Sequence, residues 1–191
     1  MKRRNWLLTL IMVMSLTIPS AHALMVDVPL ETAVEEAELI VQGKISRTWA
    51  DWNENRDLIH TYVVVLMNDL LKGPGQPINQ VTFRFVGGEV GEVGLAESDM
   101  PRLEVGEEVI VFLHKRKEKY YRLVGEYQGK YRVEADKLSR KRIVTQAGYS
   151  VARKLEKYHV QDSRFPGRVF LTDFKRVVRE IVREQQLKQR K

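Results

Sequence analysis

From Leu39 to Thr145 the apolar residues recur in short runs with a period of two, and turn residues end each run before a long helix can form. Leu39, Val41, Gly43 and Ile45 alternate; the polar cluster "DWNENRD" then makes a turn, and "LIHTYVVVLMNDLLKG" reads as a long second strand rich in β-branched residues. Pro74, Gly75 and Pro77 punctuate before a third strand, "VTFRFV". "EVGEEVIVFLHK" gives a turn and a strongly apolar strand, "KYYRLVGEYQGKYRVEA" two strands around a glycine-containing turn, and "RKRIVTQ" one more. Strands at such short intervals predict an antiparallel sheet curled into a small barrel or sandwich.

The two ends read differently. Leu30 to Ala37 predicts a short helix with acidic residues near its start, where the helix dipole favours them. At the other end Phe174, Val177, Val178, Ile181 and Val182 fall at i, i+3, i+4, i+7 and i+8. They predict an amphipathic helix over about 172–187, with Thr172 as its N-cap and a face of Arg and Lys. Its apolar stripe is expected to pack on the sheet. The basic residues Arg176, Arg179 and Arg183 are its candidate binding residues.

The chain opens with basic Lys2, Arg3 and Arg4, an apolar run from Trp6 to Ile18 and a small-x-small step, Ala21-His22-Ala23. That order predicts a secretory signal peptide over 1–23, cleaved near Ala23. The apolar run is shorter than the roughly 20 residues a spanning helix needs. No cysteine follows it, which excludes a lipoprotein anchor. Cleavage leaves 168 of the 191 residues, enough for one domain with a real core. The chain holds no cysteine at all, so that core must hold without disulfides, a usage that fits a bacterial periplasm better than an animal extracellular fluid. The expected organisation is a signal peptide, a β domain over 24–146 and a basic C-terminal extension over 147–191.

Charge is divided along the chain. Leu24 to Gly129 carries 11 Lys and Arg against 18 Asp and Glu, and Lys130 to Lys191 carries 18 against 7. A basic end points to nucleic acid, anionic lipid or an acidic protein surface, or is simply a solvated face. Export makes nucleic acid the least expected of these partners.

None of the motifs argues for catalysis. The stretch "VGGEVGEVG", from Val86 to Gly94, follows a strand as a phosphate loop would. However, Glu89, Glu92, Glu97 and Asp99 surround its glycines, Pro101 follows, and the spacing matches no nucleotide fingerprint. The glycines are expected to serve a bend needing positive φ. Asp51, Asn53, Asn55 and Asp57 place oxygens at every second residue, as a calcium loop begins. Arg56 stands where an EF-hand loop needs glycine, and Tyr62 where it needs glutamate, so a polar turn explains the composition and no metal is expected. His60, His114 and His159 are isolated in sequence, and no serine lies in G-x-S-x-G. Trp49 and Trp52 bracket the same turn; Trp49 is expected to close one end of the sheet, and Trp52 to be the better surface binding residue.

The order of features resembles the netrin-like module, the OB-type barrel shared by tissue inhibitors of metalloproteinases and related secreted domains. "EEAELIVQGKISRTW" looks like its first strand, "IHTYVVVLMNDLLKG" like the next, which ends in a Lys-Gly step, and "MPRLEVGEEVIVFL" like the turn and strand that follow. The likeness covers about Glu31 to Leu113. It implies a mainly β, OB-like barrel for 24–146, and a secreted protease as one candidate partner. The family's inhibitors reach the catalytic zinc through an N-terminal cysteine, which this chain lacks, so the resemblance does not extend to zinc chelation. The expected function is an exported, non-catalytic binding or accessory protein without a cofactor, acting on another exported protein or an envelope component. The alternatives are a hydrolase using carboxylates and an envelope protein held to anionic lipid by its basic end.

Overall fold

A computed structural model describes residues 27–75, 78–95, 103–115 and 118–189. The expected signal peptide and the acidic stretch containing Glu97, Asp99 and Pro101 lie outside these residues. The molecule is mainly β. Helix α1 (Leu30–Glu36) leads into two 14-residue strands, β1 (Leu39–Trp52) and β2 (Ile59–Lys72), and then β3 (Gln80–Val86). A small hairpin of β4 (Gly88–Val90) and β5 (Val93–Leu95) follows, then β6 (Glu108–His114), β7 (Arg122–Leu123), β8 (Lys130–Ala135) and β9 (Arg142–Thr145). A single turn, α2 (Val151–Lys154), precedes the long C-terminal helix α3 (Leu171–Gln189).

The main sheet has seven strands in the order β3-β2-β1-β6-β8-β9, with β7 also paired to β6, and every ladder is antiparallel. One edge of β6 is divided. Its C-terminal residues Leu113 and His114 pair with β7, and Val109 to Val111 pair with β8. The strands β7 and β8, which the sequence leads one to expect as a hairpin, therefore do not pair with each other. The turn between them is a 3-10 segment, Glu126–Gly129, entered through Gly125 at φ 57°. At the far side Tyr121 meets Phe83 in a single parallel bridge, and the Arg84 amide donates to the Tyr121 carbonyl at 2.9 Å. The sheet thus curls until β3 meets the segment entering β7, without the continuous ladder that would close a barrel.

Curling gives the sheet two apolar faces. On the concave side Leu39, Val41, Ile45, Val63, Val65, Val81, Phe83, Val109, Val111 and Leu113 form one core. On the convex side Ile40, Ile110, Phe112, Tyr131, Val133 and Val144 form a second, completed by α1, α2 and α3. Strands β1 and β6 are apolar on both faces because they belong to both cores, which is why "LIV" and "VIVFL" lose the alternation of a half-solvated strand. Gly43 marks a shift in the β1–β2 register, where a Cβ would stand 2.2 Å from the Leu66 carbonyl oxygen. The missing side chain lets two backbones come close at the bend.

Helix α3 buries the expected stripe: Phe174, Val177, Val178, Ile181 and Val182, together with Leu171. Each such side chain stabilises the fold by roughly 1.5–3 kcal/mol through burial. The start of the helix differs from expectation. Thr172 is already helical, and the Phe174 amide donates to Phe170. Phe170 is held extended by a bridge to Ile143, so the helix begins directly after that bridge and not at a hydroxyl cap.

Candidate functional site

Strand register builds the site. The tight β1–β2 connection pairs Trp52 with Ile59, which sets Trp49 opposite Tyr62 and Asp51 opposite His60. The β2–β3 ladder then sets Arg84 beside Tyr62 and Val86 beside His60. Trp49, Tyr62 and Arg84 therefore form one row across three strands, on the face opposite the concave core. Tyr120 joins them because its neighbour Tyr121 is bridged to β3.

The rings interlock. Trp49 and Tyr62 stack at 5.1 Å between centroids, and Tyr120 meets Tyr62 edge-on at 5.1 Å. The Arg47 guanidinium lies 4.7 Å from the Trp49 ring, and the Arg84 guanidinium and Lys119 ammonium lie 5.5 and 5.4 Å from the Tyr120 ring. Beside this cluster opens a concavity of about 560 Å³, walled by Trp52, His60, Tyr62, Arg84, Lys119 and Tyr120. The β1–β2 turn, with Glu54 and Asn55, forms its rim. α3 packs over the other end of the same strands, where Gln42 and Asp69 pair.

Charge at the site is partly compensated. Glu118 bonds Arg84 and Arg122, each at 3.3 Å. Burial works to raise the Glu118 carboxyl, but those two guanidiniums outweigh it and hold the group below the usual carboxylate range. His60 is depressed, first by burial and then by Arg84 and Arg122, with Glu118 opposing. It is therefore neutral at pH 7. Two polar atoms among the lining groups are buried without a partner in the described structure, His60 Nδ1 and Arg84 Nε. Buried polar groups are normally satisfied, so these two are exceptions within the described structure.

The residues expected from sequence are dispersed. Trp52 lines the concavity, whereas Trp49 stands behind it as the support of Tyr62. Asp51 accepts from the Trp52 amide at 2.8 Å. Asn53 donates to Asp57 and accepts from the Asp57 and Leu58 amides, so its side chain is spent inside its own turn. Arg56, in the place a calcium loop gives to glycine, does take positive φ, at 58°. Among the described residues no three His, Asp or Glu side chains converge as a metal site. On α3, Arg176 pairs with Glu180 at 3.0 Å and Asp173 at 3.9 Å. Arg179 is drawn to Asp69 at 2.7 Å, and Lys175 also pairs with Asp69. Arg183 is exposed. These three arginines lie on the helix, apart from the concavity.

His60, Tyr62, Arg84, Lys119 and Tyr120 are lining residues that sequence reasoning passed over. The usable signal was the short turn: once Trp52 pairs with Ile59, Tyr62 must face Trp49. No known protein family's profile matches this chain, and no curated protein matches it.

Proposed function

We propose that the protein is an exported, non-catalytic binding module that engages an envelope component or another exported protein through the concavity beside Trp52. The observation that carries this reading is an aromatic-walled hollow into which the polar residues His60, Arg84 and Lys119 converge. Ligand sites are commonly concave and largely apolar, with a few convergent polar groups, and this one has that composition. The mainly β fold is compatible with the netrin-like resemblance, which supports a module that binds and does not turn over.

The state of the acids supports binding over hydrolysis. A general acid needs a carboxyl raised towards neutrality. Glu31, Asp69, Glu107, Glu118, Asp136 and Asp162 are instead all held below their ordinary values, each with a basic side chain beside it. The basic face of α3 gives anionic lipid less to hold, since Lys175 and Arg179 are turned to Asp69.

The test has two parts. Intact mass of the protein recovered after export should correspond to a chain starting at Leu24. Affinity capture from an envelope extract should yield a partner with the native chain that is lost with both Trp52→Ala and Arg84→Gln, while circular dichroism shows both variants folded. A partner captured equally by the native chain and both variants would refute this site.

A further inference from the structure

Building on the binding reading, we propose that the concavity takes a carboxylated sugar ring, its carboxylate on Arg84 and its C–H face against Trp52. Four features of the site lead there. First, Arg84 lines the hollow with its side chain 24% exposed, and His60, over nine-tenths buried, lies beside it. A guanidinium N–H can be satisfied only by an acceptor, and a carboxylate is the acceptor whose geometry it matches best.

Second, the charge fits a monoanion. Among the described lining residues Arg84 and Lys119 are set against Glu54, leaving a single net positive charge. A dianionic phosphate would exceed that charge, whereas one carboxylate balances it. Third, the remaining chemistry suits a polyol. Trp52, Tyr62 and Tyr120 offer ring surface for C–H groups, and Glu54 and Asn55 offer acceptors to hydroxyls at the rim. The volume of about 560 Å³ lies within the range of small-ligand sites, about 300–1,000 Å³.

Fourth, the backbone at this point is already used. The Arg84 amide is bonded to Tyr121, and β3 pairs with β2 along its other edge. An extended acidic peptide could not add as a strand beside Arg84, so recognition there runs through side chains.

From Leu24 onward the chain has only two tryptophans, Trp49 and Trp52, both at this site, so indole fluorescence reports on it directly. The experiment titrates the chain starting at Leu24 with the methyl glycoside of galacturonic acid, which carries one carboxylate, its uncharged galactose counterpart and a glutamate-rich peptide. Fluorescence is followed together with the NMR signals of the Trp52 indole and Arg84 Nε–H groups. The acidic monosaccharide should shift both signals, at least tenfold more tightly than the neutral one. Arg84→Gln should remove that preference, Trp52→Ala should weaken both sugars, and added salt should weaken the acidic sugar alone. Equal affinity for the two sugars, tighter binding of the peptide, or no response to the acidic sugar would overturn the inference. None of these would remove a partner whose capture depends on Trp52 and Arg84, so the broader binding reading stands or falls separately.

Discussion

Replacing Phe174 with alanine tests whether α3 belongs to the core. Phe174 is fully buried, with its ring 4.9 Å from Tyr131 and 6.4 Å from Phe112, measured between centroids. Removing a buried phenylalanine costs about 3–5 kcal/mol, from lost transfer energy and the cavity left behind. That is a large share of the roughly 5–15 kcal/mol by which a domain is stable. At this chain length each kcal/mol lowers the melting temperature by about 2–4 °C, so a fall of roughly 6–20 °C is expected. Thermal and urea unfolding followed by circular dichroism would measure it, with Arg183→Ala, on the exposed face, expected to stay within about 0.5 kcal/mol. A second readout comes from Tyr131, whose hydroxyl is held well above the usual tyrosine range, chiefly by burial. A cavity beside it admits water, so in Phe174→Ala the Tyr131 phenol should ionise at lower pH than in the native chain, seen by ultraviolet absorbance. A melting temperature within about 2 °C of the native value would refute the argument, because no helix packed on two aromatic rings could lose one unnoticed.

Other perturbations follow from local geometry. Gly88 has φ +129°, and a Cβ there would stand 2.6 Å from Thr61 Oγ1 and 2.8 Å from the Ala50 side chain. Gly88→Val should cost roughly 2–6 kcal/mol by urea unfolding, combining backbone strain and overpacking. Gly91 has φ +61° and open space around it, so Gly91→Val should cost only the strain, roughly 1–3 kcal/mol. Arg168 holds the Asp136 carboxyl down at about 2, with help from Ser139. Because the folded value is below the unfolded one, this contribution is complete above about pH 4 and is lost as pH falls towards 2. Asp136→Asn should therefore lose less stability than the native chain between pH 5 and pH 2.5 in urea titrations. Arg179→Ala removes a half-exposed ion pair with Asp69, whose carboxyl burial would raise but Lys175 and Arg179 hold low. A cost below about 1 kcal/mol is expected, and a larger one would show that the pair is better shielded than its exposure suggests.

What the sequence made legible was what neighbouring residues decide. The period of Phe174 to Val182 gave the helix and its buried stripe, because helical geometry alone sets which side chains share a face. The long strands were equally plain from their β-branched residues. The parts that escaped depend on contacts distant in sequence. Nothing near Lys130 says that β8 will join β6 and not its neighbour β7. Nothing near Tyr120 says that it will meet Arg84, a contact set by one bridge between Phe83 and Tyr121. Thr172 had the right chemistry for a cap but was overruled by the bridge that fixes Phe170. At the hollow, Trp52 was legible as an indole beside a turn, whereas its companions looked like ordinary strand residues until pairing aligned them.

The doubly apolar β6 has a practical consequence for anyone cutting this chain into pieces. Val109, Val111 and Leu113 point into one core while Ile110 and Phe112 point into the other. A fragment ending after Gln146 keeps all seven strands of the main sheet, yet it strips α2 and α3 from the core around Ile110 and Phe112 and leaves a greasy patch in water. Such a fragment should self-associate on a sizing column even if its strands form, since broad exposed apolar surface promotes association. The curled sheet is thus not a portable cassette, and a fusion or display format must carry the chain through the end of α3.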